Sequence, residues 1–430
     1  MLSRRRVLQG AAVLAAATAA AQWPGDAAKA ASGTPVRWVG GWTASPTDAV
    51  TPVDAAGLPV PLTLADQSLR MVVTPHLGGT VLRLRLTNRF GSSAMTFGRV
   101  TAGLQTDGPA AARITPVTFG GKARVTIPAG QDAVSDPVSL TFAAFTPLSV
   151  SLYLPGLQGP PTKHWAAAAT SFYAPPGTGD LTGSAGGSLY GSRTEACLCL
   201  AGVDVAAGPD TGAIVAFGDS ITDGWVAATP VSFPDSTVPD DKNGRYPDDL
   251  QRRLIAAGIP LSVLNAGISA NRLLTDGEPA MLGPSGLSRF QRDALAVPGI
   301  RGVLLQEGIN DLGIPPATTT PDELIAGYEQ VIGQARAAGV KLWLGTLLPA
   351  ADAVMDGTVT APHSEEYRQR VNTWIRGQRA ADGIVDFDAE VRDPSDPHVL
   401  DARYSSVDRL HPNLAGYQAM AAAIDLDMLR

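Results

Sequence analysis

The sequence is poor in the side chains from which most metal and redox sites are built. Its 430 residues include two cysteines and five histidines. No two histidines have the spacing of ligands on a helix, and Cys197 and Cys199 lack the second cysteine pair of a zinc site. The sequence therefore implies no metal and no organic cofactor. The two cysteines are compatible with a strained local disulfide or with two buried free thiols.

Basic residues and long apolar runs are also scarce. Lys and Arg number 33 against 40 Asp and Glu, which gives a net charge of −7. An acidic chain without a basic tract argues against nucleic acid as its main partner. Beyond the N-terminus no run approaches the roughly 20 apolar residues that span a bilayer, so we expect no integral membrane segment in the mature chain.

The first 30 residues predict an export signal. Residues 4–6 are arginines, and an alanine-rich apolar run that is too short to span a bilayer follows over residues 7–21. Ala28-Lys29-Ala30 has the small-x-small pattern that signal peptidase accepts. The arginines resemble a twin-arginine signal, and an ordinary secretory signal is the alternative. We expect a secreted, extracellular protein that is exported by the twin-arginine route.

The rest of the chain changes character near Pro209. Before this point, residues 81–87 and 148–154 alternate apolar and polar, which is typical of strands with one buried and one solvated face. Residues 31–208 are therefore predicted to form a smaller, all-β, sandwich-like accessory domain. Strand-like and helical stretches alternate after it, so residues 209–430 are predicted to form a three-layer α/β domain.

Several strand-like runs of the second part are apolar throughout, as expected for a parallel sheet that is covered on both faces. The predicted strands lie at residues 213–217, 261–264, 300–305, 340–344 and 384–387. The predicted helices lie near residues 246–257, 288–296, 321–338, 364–381 and 412–429.

Ser220 follows the first of these strands directly, in Phe217-Gly218-Asp219-Ser220. Ligands of such sheets bind at the carboxyl ends of the strands, so a nucleophile is useful at this position. Gly218 permits a tight turn that a side chain would obstruct. A serine after a strand is also commonly a helix cap, which is the structural alternative.

Asp408 and His411 lie just ahead of the last predicted helix. A serine hydroxyl needs a base, and a neutral imidazole suits this task near neutral pH. A carboxylate can hold the imidazole in the required tautomer. A separation of three residues on a loop lets Asp408 reach one ring nitrogen and leaves the other for Ser220. The alternative is that both residues only cap the helix.

Two further strand ends offer hydrogen-bond donors. Acyl transfer builds negative charge on the carbonyl oxygen, which must be met by donors already in place. The side-chain amide of Asn310 and the backbone N–H of Gly267 are candidates, although both residue types are also common in plain turns.

Other residues are weaker candidates. Ser269 lacks the final glycine of a Gly-x-Ser-x-Gly elbow. His398 lies near two aspartates and suggests either a cation site or, more simply, a solvated polar loop. His76 and His164 read as ordinary turn or surface residues. The stretch Thr229–Arg245 suits either a substrate-access loop or a surface insertion.

Trp225, near Ser220, suits either a pocket wall or a core position. Its role is left open by the sequence.

Together these motifs resemble the SGNH hydrolases, also called the GDSL esterase/lipase family. The matching blocks are Gly218-Asp219-Ser220, Gly267, Gly308-Ile309-Asn310-Asp311 and Asp408-Arg409-Leu410-His411. The resemblance implies a flavodoxin-like α/β/α fold and a serine esterase that acts on carboxylic esters. It also implies Ser220 as nucleophile, His411 as base and then acid, and Asp408 as the residue that orients His411. The oxyanion hole would consist of the Ser220 and Gly267 N–H groups and the Asn310 side chain.

The resemblance leaves the substrate open, because a small-molecule, lipid or carbohydrate ester fits equally well. The β-rich part resembles the accessory segment of exported actinobacterial members, on the strength of the stretch Trp38–Pro46 alone. Two alternatives remain. One is a carbohydrate- or cell-wall-binding protein with a vestigial hydrolase domain, and the other is an acyltransferase that uses the same triad.

Overall fold

The computed structural model describes residues 37–229, 241–315, 318–355, 358–359, 361 and 363–430. The export signal predicted over residues 1–30 lies outside the described residues, and so does most of the stretch Thr229–Arg245. Both interpretations therefore stay predictions.

The N-terminal region is built from antiparallel strands, as the alternating patterns predict. In chain order the strands are β1 (Arg37–Thr43), β2 (Leu64–Val73), β3 (Gly79–Thr87), β4 (Met95–Phe97), β5 (Arg99–Gln105), β6 (Ala111–Val117), β7 (Val125–Ile127), β8 (Asp132–Val134), β9 (Val138–Phe142), β10 (Leu148–Gln158), β11 (Lys163–His164), β12 (Ser171–Tyr173), β13 (Ser192–Thr194), β14 (Cys197–Leu198) and β15 (Leu200–Ala207).

Two larger sheets share one hydrophobic core. One has the order β1-β15-β3-β8, with β9 also paired to β3, and the other has the order β13-β12-β2-β10-β5-β6. Leu82 and Leu84 of β3 meet Met71 of β2 and Val150 of β10 in this core. The prediction of an all-β region with packed sheets is therefore confirmed.

The predicted solvated face of β3 is wrong. Arg83 and Arg85, which alternate with the core leucines, are also buried. Arg83 Nε donates to Asp204 Oδ2 of β15 over 2.9 Å, and Arg85 Nε lies 3.1 Å from Asp204 Oδ1. The Arg83 guanidinium also stacks on the Trp38 ring at 4.6 Å. On this face of β3 the two arginines therefore contact the Asp204 carboxylate and the Trp38 ring instead of water.

The C-terminal region alternates strands and helices. Its strands are β16 (Gly212–Gly218), β17 (Leu261–Gly267), β18 (Ile300–Gln306), β19 (Lys341–Gly345), β20 (Val354–Met355), β21 (Thr358–Val359) and β22 (Gly383–Val385). Its helices are α1 (Ser220–Asp223), α2 (Tyr246–Ala256), α3 (Gly286–Phe290), α4 (Ile309–Gly313), α5 (Pro321–Ala337), α6 (Ser364–Gly377), α7 (Phe387–Val391) and α8 (Leu414–Ala423).

Five of these strands form a parallel sheet in the order β17-β16-β18-β19-β22. This is the flavodoxin-like order 2-1-3-4-5, as the resemblance implied. Alternate residues of β16 enter different cores, with Ile214 on one face beside α2 and α8, and Val215 on the other face beside α5. Because both faces are covered, the strand is apolar throughout.

Two predicted helices differ in detail. The helix predicted near residues 288–296 begins at Gly286 and continues beyond Phe290 as a π turn, Gln291–Leu295. The terminal helix begins at Leu414 because the Asn413 side chain caps it by accepting from the Gly416 N–H over 3.0 Å. No helix among the described residues is long and apolar enough to cross a membrane.

The β-rich and α/β regions are in direct contact. Thr43 Oγ1 donates to the Asn265 carbonyl over 2.9 Å, and the Gly40 N–H donates to the Pro298 carbonyl over 2.9 Å. The described residues form one compact unit. The division between residues 208 and 209 rests on the change of sequence pattern and stays a prediction.

Candidate active site

The carboxyl ends of the central strands place the predicted residues side by side. Ser220 is the first residue of α1, directly after β16, and the Asp219 side chain caps this helix by accepting from the Ile221 N–H over 3.0 Å. The turn is so tight that a Cβ at Gly218 would lie 2.1 Å from the Gln306 carbonyl oxygen of β18. Only glycine fits there, which explains the Gly-Asp-Ser pattern.

Ser220, His411 and Asp408 form a continuous hydrogen-bonded chain. Ser220 Oγ lies 2.8 Å from His411 Nε2, and His411 Nδ1 lies 2.6 Å from Asp408 Oδ2. All three side chains are buried. The turn between the last two is closed by Arg409, whose φ is +60°. The structure therefore brings together Ser220 and His411, which are separated by 191 positions in the sequence.

The second carboxylate oxygen of Asp408 is fully engaged. Asp408 Oδ1 accepts from Ser406 Oγ over 2.8 Å and from the Leu410 and His411 N–H groups over 3.0 Å each. Burial alone would raise the pKa of Asp408, but the adjacent imidazole and these hydrogen bonds hold that pKa well below its usual range. An ionised carboxylate only accepts, so His411 Nδ1 carries a proton and Nε2 is free to accept one from Ser220.

Asn310 lies in the first turn of α4, after Gly308, whose φ is +133°. Its Nδ2 donates to the Asn271 carbonyl over 2.9 Å. A side-chain amide has two N–H donors, so this bond fixes the orientation of the group and leaves the second donor for another acceptor.

Gly267 is used differently from its predicted role. Its N–H donates to Asn265 Oδ1 over 2.8 Å, so this donor is already engaged within β17. A Cβ at Gly267 would lie 2.2 Å from the backbone nitrogen of Asp223. The glycine therefore allows α1, and Ser220 with it, to pack against the end of β17.

Ala270 carries a backbone N–H that the sequence did not single out. Its φ is +57°, and its N–H has no hydrogen-bond partner among the described residues. Both neighbours are fixed at the site: Ser269 bonds to Asp223, and the Asn271 carbonyl accepts from Asn310. An alanine carries no chemical signal, so only the backbone geometry identifies this N–H.

Arg289 is a buried residue that hydrogen-bonds to the ends of two strands of the parallel sheet. Its guanidinium donates to the carbonyls of Gly218 over 2.8 Å and Ala266 over 2.7 Å, and to Asn271 Oδ1 over 2.8 Å. The guanidinium also lies 3.9 Å above the Phe217 ring. One buried cation thus ties β16, β17 and the following turn together. The sequence offered no pattern that would single out this arginine.

Three acids are buried near these strand ends. Burial raises the pKa of Glu307 to about 7 against the opposing charge of Arg289, and burial raises the pKa of Asp311 to about 6. Burial also raises the pKa of Asp219, and the Glu307 charge adds to that shift. Asp311 accepts from the Leu273 N–H over 2.8 Å, so it shapes the loop after β17 rather than reacting.

Two histidines of the β-rich region correct the prediction of turn or surface residues. His164 Nε2 lies 3.1 Å from Asp223 Oδ1, and His76 Nε2 lies 2.8 Å from Asp248 Oδ1. Both imidazoles are buried. A buried carboxylate needs hydrogen-bonding partners, and Asp223 and Asp248 each receive one of theirs from the β-rich region. Both contacts join parts of the chain that are distant in sequence, so a local sequence pattern does not reveal them.

Trp225 lies near His411. Its ring stacks on Trp165 of the β-rich region at 6.0 Å and lies 6.3 Å from the His411 ring, measured between centroids. It is buried. Trp225 therefore occupies a core position in a small apolar cluster, and a role as a pocket wall stays a prediction.

The remaining candidates lie apart from this chemistry. His398 is exposed and its Nδ1 lies 2.9 Å from Glu365, which fits a polar loop. Among the described residues no group of three or more His, Cys, Asp or Glu is arranged to hold a metal ion. Cys197 and Cys199 are buried free thiols, which excludes the disulfide. Burial raises the pKa of Cys199 to about 12, so it is an unreactive thiol.

The parallel sheet has the flavodoxin-like α/β arrangement, and a hydrogen-bonded Ser, His and Asp lie at the carboxyl ends of its strands. Residues 216–419 match the family described as GDSL-like lipase/acylhydrolase. The α/β region of the chain belongs to this family, as the motifs predicted. No curated protein matches the chain in sequence.

Several solved structures are similar to this chain. The native M. smegmatis aryl esterase is 19% identical with a TM-score of 0.41, and the similarity covers 50% of this chain and 96% of that one. Est24, a carbohydrate acetylesterase from Sinorhizobium meliloti, is 16% identical with a TM-score of 0.40 and the same coverage. A GDSL-like lipase from Bacteroides thetaiotaomicron is 21% identical with a TM-score of 0.35, over 50% of this chain and 87% of that one.

Proposed function

We propose that this chain is a secreted serine esterase that hydrolyses carboxylic esters with Ser220 as its nucleophile. The observation that carries the proposal is the chain of short contacts, 2.8 Å from Ser220 Oγ to His411 Nε2 and 2.6 Å from His411 Nδ1 to Asp408 Oδ2. This geometry is that of an activated hydroxyl, in which the base is held by a carboxylate. It argues against a vestigial hydrolase domain.

The first half of the reaction transfers the acyl group to the enzyme. Ser220 Oγ attacks the ester carbonyl carbon while His411 Nε2 takes the hydroxyl proton. Asp408 stabilises the imidazolium that forms and does not itself become protonated. His411 then gives the proton to the departing alcohol oxygen as the carbon–oxygen bond of the ester breaks. The product is an acyl ester on Ser220.

The negative charge on the carbonyl oxygen is met by donors at three strand ends. The first donor is the N–H of Ser220. Ser220 is the first residue of α1, and the first N–H groups of a helix have no partner within it. The second amide hydrogen of Asn310 is the next donor. For Gly267 to serve, its bond to Asn265 would have to be exchanged. We therefore favour the Ala270 N–H as the third donor in place of Gly267.

The second half of the reaction releases the acyl group. A water molecule gives its proton to His411 Nε2 and attacks the acyl carbon, and the carbon–oxygen bond to Ser220 breaks. An alcohol that takes the place of water would give acyl transfer with the same residues. Hydrolysis is the simpler assignment because water is present at an extracellular site, and product analysis with and without added alcohols separates the two outcomes.

The decisive experiment replaces Ser220 with alanine. We expect Ser220→Ala to remove turnover of p-nitrophenyl acetate while leaving the thermal midpoint of unfolding within a few degrees of the wild type. Ser288→Ala is the matched control, since Ser288 is exposed on α3 and its hydroxyl donates to the carbonyl of Ser285, the residue that precedes this helix. Full activity of Ser220→Ala would end the proposal. A series of acyl lengths and sugar acetates then defines the substrate.

The proposal that the protein is secreted rests on the arginines of residues 4–6 and on Ala28-Lys29-Ala30. Expression of the full chain in a host with a twin-arginine system should place esterase activity in the medium. Replacement of the arginines by lysines should keep that activity inside the cells. Unchanged secretion of this variant would point to an ordinary secretory signal.

A further inference from the structure

The segment Lys163–Ala166 of the β-rich region reaches the active site. Lys163 and His164 form β11, and the next residue, Trp165, stacks on Trp225 beside His411. The segment is anchored in its own region, because the buried Lys163 ammonium lies 3.1 Å from the Asp48 carboxylate. A rigid part of the β-rich region therefore forms one side of the catalytic site.

We propose that His164 is a positioning residue for the esterase reaction. It holds Asp223, and Asp223 in turn fixes the turn Ser269–Asn271 that presents the Ala270 N–H to the oxyanion. This inference rests on the proposed function. It adds the β-rich region to the machinery of the site, although none of the sequence motifs lies in that region.

The surroundings of His164 require both ring nitrogens to donate. His164 Nδ1 lies 2.7 Å from the Ser45 carbonyl oxygen, and Nε2 lies 3.1 Å from Asp223 Oδ1 and 3.2 Å from the Ala166 carbonyl oxygen. Carbonyl and carboxylate oxygens only accept, so an imidazole that satisfies them carries two protons and a positive charge. His164 is thus the cation that partners the buried Asp223 carboxylate.

Asp223 distributes this contact to the catalytic loop. It is the last residue of α1, the helix that begins with Ser220. While its Oδ1 faces His164, its Oδ2 accepts from the Ser269 N–H over 2.9 Å and from Ser269 Oγ over 2.8 Å. One carboxylate therefore links the nucleophile helix, the turn after β17 and the β-rich region.

The turn held by Asp223 is also the one that orients Asn310. Ser269 bonds to Asp223, Ala270 adopts its positive φ of +57°, and the Asn271 carbonyl accepts from Asn310 Nδ2. Two of the proposed oxyanion donors thus depend on one short segment. A displacement of such donors by about 1 Å lowers the rate of an enzyme roughly 100-fold, since the charge develops only in the transition state.

A second interface histidine provides a matched control. His76 is buried to the same degree, and its nitrogens lie 2.8 Å from Asp248 Oδ1 and 2.6 Å from the Val263 carbonyl oxygen. Asp248 lies on α2 and also binds Arg245. Among the described residues it makes no hydrogen bond to the turn Ser269–Asn271. Loss of His76 therefore weakens the same interface without reaching the oxyanion donors.

The experiment compares His164→Gln with His76→Gln in the full chain, with kcat and KM for p-nitrophenyl acetate and the thermal midpoint as readouts. Both variants should lose thermal stability. His164→Gln should lower kcat about 10- to 100-fold while KM changes less than about threefold, because the transition state and not the substrate loses its contacts. His76→Gln should keep the kcat of the wild type.

A kcat of His164→Gln within about twofold of the wild type would overturn the proposal, and so would an equal loss of kcat in both variants. If His164→Gln does not fold, Ser269→Ala removes one of the two bonds between Asp223 and the turn, and it should lower kcat about threefold to tenfold. An unchanged kcat of Ser269→Ala would then refute the positioning role of His164. Turnover by the wild type and none by Ser220→Ala test the proposed function separately.

Discussion

Replacing Asp408 with asparagine changes one atom of the Ser220–His411–Asp408 chain and reverses one hydrogen bond. The asparagine side chain has the same shape but carries an NH2 group in place of one oxygen. It has two orientations. In the first, its oxygen keeps the bonds to Ser406, Leu410 and His411 N–H, and its NH2 group faces His411 Nδ1. In the second, these positions are exchanged.

The energies of the two orientations decide the outcome. In the second orientation the NH2 group faces the Leu410 and His411 N–H groups, which cannot turn into acceptors, although the Ser406 hydroxyl can rotate. Two buried donors are then left without partners, at a cost of about 1–3 kcal/mol each. The first orientation only forces His411 to accept at Nδ1, which a neutral imidazole does in its other tautomer. The first orientation is therefore favoured by about 2 kcal/mol or more.

In that tautomer Nε2 carries the proton and donates to Ser220 Oγ, so His411 no longer acts as a base. We expect kcat to fall about 10⁴-fold, which corresponds to about 5.5 kcal/mol in the activation barrier. Steady-state kinetics with p-nitrophenyl acetate measure the loss of kcat, and a thermal unfolding curve shows whether the variant keeps its fold. Asp322→Asn, an exposed carboxylate on α5, is the control and should match the wild type.

Asp408→Asn that keeps its fold and more than about a tenth of the wild-type kcat would refute this reasoning. Such a result would mean that the tautomer of His411 is not set by Asp408.

Two further predictions concern stability. A Cβ at Gly267 would lie 2.2 Å from the Asp223 nitrogen, so Gly267→Ala should destabilise the protein by about 1–3 kcal/mol and lower kcat, measured by urea unfolding and esterase assay. Gly333→Ala, in the exposed middle of α5 with no atom within 4 Å of the new Cβ, should instead stabilise by about 0.5–1 kcal/mol, and equal effects would contradict the steric argument. Because burial raises the pKa of Glu307 to about 7, its contribution to stability is complete below its unfolded pKa near 4.5 and is lost as the pH rises through about 7. Glu307→Gln should therefore gain up to about 3 kcal/mol relative to the wild type between about pH 4.5 and 8, and a pH-independent difference would argue against the raised pKa.

The parallel sheet was predictable because its signal is local. Every residue of β16 is buried, and both side-chain directions enter a hydrophobic core, so the strand is apolar from end to end. The antiparallel strand β3 shows where the same reasoning fails. Its alternating arginines predict a solvated face, yet Asp204 and Trp38 come from other strands to bury them. The pattern identifies the strand but not what covers its polar side.

The hydrogen-bonded chain of Ser220, His411 and Asp408 was predictable for a related reason. Ser220 and His411 are reactive side chains in short motifs, and the carboxyl ends of a parallel sheet bring such motifs together. Ala270 was not predictable, because its role depends on the direction of a backbone N–H. The role of His164 was not predictable either, since it depends on a contact with the carboxylate of Asp223, 59 residues further along the chain. The sequence shows reactive groups better than the contacts that orient them.

Part of the contact between the two regions is apolar. Val39 of β1 belongs to the same core as Leu264 of β17, and a Cβ at Gly40 would lie 2.5 Å from Leu264 Cδ1. Separating the regions would expose this apolar surface, at about 25 cal/mol per Å². The same surface brings His164 to Asp223. We therefore expect the stability of the α/β region and the alignment of its oxyanion donors to depend on one interface, so that an α/β region expressed alone loses both.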